Sequence, residues 1–251
     1  MKRYIYIVSF LILSAIFTTC GPEDYYLSIA GVRPPESDCS YKPGDVFLGW
    51  GTADASLITS VHNMGYMAGV QIENRLLNTK DVTKKPGGME DLPMRTDSNI
   101  VIITKAVVTL RGVVASANTT TTTKYKSTYN MEISGTVIPS AGDDKTPGKA
   151  IVLLSLVPKE KLIQLEESLG EWPTDPSTYV DLIAEFYLEG ETLGGVAVKT
   201  NKLNYYIRVC YGCLNYLGNR TYSECLTDSN CSISGNSCIP GQDGYIFCEC
   251  K

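Results

Sequence analysis

Cys210-Tyr-Gly-Cys213 is the arrangement in this 251-residue chain best suited to chemistry. Two thiols at this spacing can cycle between dithiol and disulfide, or offer two thiolates to zinc. A redox pair needs a helix that starts at the first cysteine and lowers its thiol pKa, inside a βαβ unit. Gly-Asn-Arg-Thr and more cysteines follow instead, and no βαβ pattern surrounds them. Haem attachment needs a histidine directly after the motif, and Leu214 stands there. Zinc needs free thiolates, which an exported chain loses to oxidation. The expected role of Cys210 and Cys213 is therefore structural.

The other reactive side chains are sparse. His62 is the single histidine, in Val61-His62-Asn63-Met64, beside no Ser or Asp pattern that makes a triad. No Gly-x-Ser-x-Gly elbow and no phosphate loop occurs. Carboxylates cluster at Asp143-Asp144, at Glu166-Glu167 and around Asp228. Calcium would want several oxygens at a spacing that neither Asp turn shows, and turn chemistry accounts for both. No pair stands out as the two carboxylates of a glycosidase. The sequence thus assigns no catalytic residue, no metal ligand and no cofactor. Sixteen tyrosines and two tryptophans remain as material for a protein- or carbohydrate-binding face, although tyrosine is also a favoured strand residue.

One further cysteine has a different context. Lys2 and Arg3 precede an apolar run from Tyr4 to Phe17, then Thr18, Thr19 and Cys20. Positive, apolar and small-residue regions in that order make a secretory signal peptide. The run is too short to span a bilayer, which takes about 20 apolar residues. The junction resembles the lipobox of bacterial lipoproteins, although Phe17 and Thr19 replace the usual Leu and small residue. The resemblance implies that Cys20 is acylated and becomes the N-terminus. Two or more acyl chains anchor a protein stably. From Cys20 onward the chain has 20 basic residues (the 22 less Lys2 and Arg3) against 27 acidic ones, a net charge of −7. Such a balance argues against nucleic acid and against electrostatic adhesion to anionic lipid.

The remaining cysteine count fits export. Of nine cysteines, setting Cys20 aside leaves Cys39, Cys210, Cys213, Cys225, Cys231, Cys238, Cys248 and Cys250. An even number in an oxidising compartment reads as four disulfides, with 105 possible connectivities.

The elements that would position these residues are mostly strands. Residues 20–44, rich in Gly, Pro and Ser, read as a tether, with a first strand around Tyr25 to Ile29 as the alternative. Tyr66 to Leu76, Asn99 to Val114 and Tyr125 to Ile138 read as strands, and Lys149 to Val157 as a buried central one. Asn78 to Asn99 is a long polar loop, and Ala115 to Thr123 a Ser/Thr tract. One helix follows Pro158, with Leu162, Leu165 and Leu169 on one face. Tyr179 to Leu188 has the clearest period of two: Val180, Leu182, Ala184, Phe186 and Leu188 face one way, and Asp181, Ile183, Glu185 and Tyr187 the other. Two short strands, 196–200 and 205–209, complete the series. The expected fold is mainly β: an immunoglobulin-like β-sandwich with one helix over 45–209, and a small disulfide-rich module over 210–251. Residues 1–19 are the signal peptide and 20–44 the lipidated tether.

Two resemblances extend this reading. Glu189 through Leu214, with Gly194-Gly195-Val196-Ala197-Val198-Lys199 and Cys210-Tyr-Gly-Cys213, resembles a group of Gram-negative lipoproteins without an assigned activity, as does Val70-Gln-Ile-Glu-Asn-Arg-Leu76. It implies a cell-envelope protein. The spacing of Cys225, Cys231, Cys238, Cys248 and Cys250 is similar to an EGF-like module, with Cys210 or Cys213 left to supply the sixth cysteine. The expected function is that of a lipid-anchored, non-catalytic binding or structural module. It meets the membrane through its lipid and binds a protein or glycan, not nucleic acid. A hydrolase of an envelope polymer with a carboxylate-based site is the alternative. Gly21 after the cysteine, rather than Asp, points to the outer membrane by analogy with lipoprotein sorting in enteric bacteria.

Overall fold

The alternation read in residues 179–188 is the backbone of the architecture. In the computed structural model, which describes residues 26–61, 65–77, 98–115, 122–141, 146–169, 179–216, 222–235, 238–239, 242–244 and 246–250, twelve strands and three helices are assigned. In chain order they begin with β1 (Leu27–Arg33), β2 (Trp50–Asp54), α1 (Ala55–Val61), β3 (Tyr66–Asn74), β4 (Val101–Ala115) and β5 (Thr122–Ile138). Then come β6 (Gly148–Val157), α2 (Lys159–Leu169), β7 (Tyr179–Thr192), β8 (Ala197–Lys199) and β9 (Leu203–Cys210). The C-terminal segment holds β10 (Asn215–Tyr216), α3 (Tyr222–Thr227), β11 (Cys231–Gly235) and β12 (Ile246–Cys250).

Two sheets pack over one core. One has the order β1-β3-β6; the other has β2-β9-β7-β4-β5, with β8 beside β7. This is the immunoglobulin-like arrangement, in which the first, second and fifth long strands face a sheet built from the others. The initial strand is divided between the sheets: β1 runs antiparallel to β3, whereas β2 runs parallel to the last strand of the sandwich, β9. On β7 the inward set Val180, Leu182, Ala184, Phe186 and Leu188 is at most 2% exposed. Each large side chain there contributes roughly 1.5–3 kcal/mol of burial. Val70 and Ile72 of β3, and Val152, Leu154 and Leu156 of β6, meet them from the other sheet.

Several details differ from the sequence-based expectation. The tether expected over 20–44 gives way at Leu27, because Leu27, Ile29 and Val32 bury one face of β1 in the core. Residues 34–49 then fold back over the outer face of the smaller sheet. Tyr41 lies on Gly69, where a Cβ would come within 2.2 Å of its ring, and Phe47 lies on Gly31. The buried Arg33 donates to Lys42 O at 3.0 Å and to Val46 O. The strand at 148–157, expected to be central, pairs only with β3 among the described residues. Its carbonyls at Ser155 and Leu156 are reached by the Tyr129 hydroxyl of β5, at 2.9 and 2.7 Å. That contact closes this side of the sandwich with a side chain. The single expected helix is α2, whose Leu162 and Leu165 are fully buried; α1 and α3 are additional. The period of α1 was unreadable because it is 7 residues long.

Candidate functional site: the outer face of the larger sheet

The Cys-x-x-Cys turn is organised around a residue that composition does not single out. Asp54, at the end of β2, is fully buried. Its Oδ1 accepts from Ser56 N at 3.0 Å, Ser56 Oγ at 2.7 Å and Gly212 N at 2.8 Å. Its Oδ2 accepts from Leu214 N at 2.9 Å. The same carboxylate thus caps α1, through the second helical N–H, and shapes the 210–214 turn. Asp54, Cys210 and Cys213 bring three potential metal ligands within 4.8 Å. The two cysteines, however, are bonded to each other, and the carboxylate oxygens are occupied by the four hydrogen bonds.

Of the other cysteines, one pair ties the tail to the body and the rest cross-link within the tail. Cys39 pairs with Cys238 across a sequence separation of 199, and Cys225 pairs with Cys248. Cys231 is disulfide-bonded too, and stands directly opposite Cys250 in the β11–β12 ladder. Cys210 and Cys213 therefore do not complete an EGF-like set, and Cys238 of that set bonds outside it. Gln242 and Asp243 add polar contacts. Gln242 Oε1 accepts from Met67 N at 2.8 Å, and its Nε2 donates to Met67 O. Asp243 accepts from Thr52 N at 2.7 Å and from the Tyr66 hydroxyl at 2.8 Å. Tyr66 spends its proton on that carboxylate, so Tyr205, 3.2 Å away, donates to the Tyr66 oxygen. Asp243 is exposed as a residue, while its carboxylate is held by Thr52 and Tyr66 and its own N–H donates to Thr52 O at 3.0 Å. Desolvation raises its pKa, against the opposing effect of these hydrogen bonds. Burial also raises the pKa of Tyr66 and Tyr205, and the nearby Asp243 adds to both shifts.

The residues placed together on an open surface lie elsewhere. One row crosses the outer face of the larger sheet: Trp50 of β2 is opposite Tyr206 of β9, then come Ile183 of β7, Arg111 of β4 and Lys126 of β5. Four strand spacings make this row about 19 Å long. Two residues along, Arg208 stands opposite Asp181, and their ion pair is 3.3 Å. The Arg208 guanidinium lies 3.8 Å from the Tyr179 ring centroid and 5.7 Å from that of Trp50. Trp50, Tyr206 and Tyr179 are 58%, 54% and 47% exposed. Together these groups line a depression of about 910 Å³. Arg111 pairs with Glu185 at 2.6 Å. Among the described residues, Lys124 and Lys126, on the rim, have no carboxylate partner.

The residues singled out from sequence are not assembled here. Cys20, His62 and Asp143-Asp144 lie outside the described residues. Glu167 is exposed on α2, and Asp228 accepts from Asn230 N at 2.9 Å in a turn of its own. Of the surface row, only the outward set of β7 was legible. Asn204, Tyr206 and Arg208 repeat its period of two, a signal that was available; the register that sets Trp50 and Lys126 in line with them is not a property of any single stretch. Comparison of the chain with family models, characterised proteins and solved structures gives no match.

Proposed function

We propose that the protein is a lipid-anchored binding module of the cell envelope, held at the outer membrane through Cys20 after removal of residues 1–19. It takes its ligand on the outer face of the larger sheet and performs no chemistry on it. One observation carries the reading. The chain covers the outer face of the smaller sheet at β1 and β3 with its own residues 34–49, yet leaves Trp50, Tyr179 and Tyr206 exposed on the larger sheet. Exposed apolar patches of this kind mark interaction sites, and aromatic rings with arginine supply most of the energy where such sites are used. The competing hydrolase reading calls for two facing carboxylates. Among the described residues, Asp181 is the carboxylate lining the depression, and Arg208 pairs with it.

The test uses the chain from residue 20 onward with Cys20→Ser, mixed with isolated cell envelopes of the producing organism and sedimented. The wild-type surface should co-sediment, and Trp50→Ala combined with Tyr206→Ala should lose about 90% of it. Leu153→Ala, exposed on the other sheet, should behave as wild type. Equal sedimentation of the double variant would end the assignment of this face. Intact mass of the membrane-extracted protein tests the anchor separately: Cys20–Lys251 plus acyl chains is expected, and an unacylated mass removes it.

A further inference from the structure

We propose that the ligand of this face is an anionic oligosaccharide, stacked on Trp50, Tyr206 and Tyr179 with its acidic groups directed to Lys124 and Lys126. This rests on the binding reading above and specifies its chemistry. The aromatic floor comes first. Ring faces carry a negative quadrupole, which attracts the weakly positive C–H groups on the flat side of a pyranose. Trp50 and Tyr206 sit opposite one another on neighbouring strands, so their rings serve adjacent units of a chain laid across the sheet. Arg208 is held in that floor by Tyr179, Trp50 and Asp181, and presents a fixed fork of donors to hydroxyl or carboxylate groups.

Charge selects the acidic class. The whole chain is net negative, at −5, yet among the described residues the depression is lined by Arg111, Lys124, Lys126 and Arg208 against one carboxylate, Asp181. Arg208 is neutralised by Asp181, and Arg111 by Glu185. Lys124 and Lys126 leave about two positive charges for a ligand at one end of the row.

Shape and backbone separate this class from two others. An extended peptide is usually taken at an unpaired strand edge, through main-chain hydrogen bonds. Here the depression opens on the face of the sheet, where the middle strands β9, β7 and β4 are hydrogen-bonded on both sides. Single-stranded nucleic acid would also stack on aromatic rings. It carries a charge at every phosphate, however, and a net-negative protein with two lysines that have no carboxylate partner among the described residues repels it. A sugar chain charged at only some of its units suits the sparse cations and the rings together.

Affinity electrophoresis in native gels tests this, with the same soluble form run through gels containing hyaluronate or gellan, acidic polymers charged at only some of their units, or neutral dextran. At least one acidic polymer should retard the protein, and dextran should not. Trp50→Ala with Tyr206→Ala should abolish the shift, and Lys124→Glu with Lys126→Glu should weaken it about tenfold or more. Retardation by no acidic polymer, equal retardation by dextran, or indifference to the lysine changes overturns the proposal. The envelope experiment distinguishes the two levels. Periodate oxidation of the envelopes should remove co-sedimentation and protease digestion should leave it. If protease removes it while the Trp50/Tyr206 dependence persists, the ligand is a protein: the glycan assignment falls and the binding face stands. Urea midpoints matching wild type certify that each variant is folded.

Discussion

Asp54 shows how much one side chain can organise. Removing its carboxylate by Asp54→Ala leaves the N–H groups of Ser56, Gly212 and Leu214 without their acceptor, in a position fully screened from water. A hydrogen bond to a charged group is worth roughly 1.5–3 kcal/mol, and a lost helix cap about 1 kcal/mol. The variant is expected to lose roughly 3–5 kcal/mol, read as a fall in the urea midpoint at unchanged slope. Asp54→Asn keeps one acceptor oxygen and should lose less. Gly69 marks a close approach of the opposite kind. A methyl group there would meet the Tyr41 ring at 2.2 Å, so Gly69→Ala should lift residues 34–49 from the smaller sheet. Faster amide exchange at Leu48, whose N–H donates to Val32 O at 2.8 Å, is the measurement. Neither role was legible in the sequence: Asp54 looks like any turn-forming acid, and Gly69 like a weak point in an alternating strand. Both depend on chain segments far away, Gly212 and Leu214 for the first and Tyr41 for the second.

At the scale of elements, the long alternations were readable and the pairings were not. The inward and outward sets of β7 follow directly from a period of two, as does the half-buried row of Tyr129, Met131 and Ile133 on β5. Local sequence could not reveal that β2 would join β9 in parallel, or that the outer edge of β6 would be met by the Tyr129 hydroxyl. Those facts belong to register and topology. Tyr129→Phe isolates the second. It keeps the ring and removes the donor to Ser155 O and Leu156 O, a loss of about 1 kcal/mol for this part-buried hydrogen bonding. Urea denaturation of the variant checks it. The polar contact between β2, β3 and residues 242–243 also carries a pH signature. Asp243 is raised above its ordinary 3.8 by burial, so the folded state holds its proton longer than the unfolded chain does. The associated stability is complete below pH 3.8 and is lost as the pH climbs through the folded value. Urea midpoints between pH 4 and pH 7 should therefore fall more in wild type than in Asp243→Asn. Tyr66 and Tyr205, raised above 10, add a second loss on the alkaline side, once unfolded tyrosines ionise and the folded ones do not.

The disulfides act on the molecule as a whole. Peptide mapping without reduction should return Cys39–Cys238, Cys210–Cys213 and Cys225–Cys248, and should place Cys231 with Cys250. Replacing Cys39 and Cys238 by serine releases a loop of 199 residues, for which chain entropy predicts a loss of about 5 kcal/mol; thermal unfolding of the pair variant measures it. The eight cysteines after Cys20 anticipated cross-linking. They could not anticipate that one link would run from the first loop of the sandwich to the tail, because connectivity depends on where the folded chain brings the sulfurs. That link also governs how the protein bears mechanical load. Tension applied between its two ends passes from β1 to Cys39 and crosses directly to Cys238, bypassing everything between. On the N-terminal side, the described stretch Leu27–Asp38 can pay out about 40 Å of slack at full extension. The sheet that carries Trp50, Tyr206 and Arg208 lies wholly inside the covalent ring and stays unstretched. A pulling experiment in oxidising buffer should show that short release and another of similar size from the tail beyond Cys238; adding reductant should expose the long contour of the sandwich.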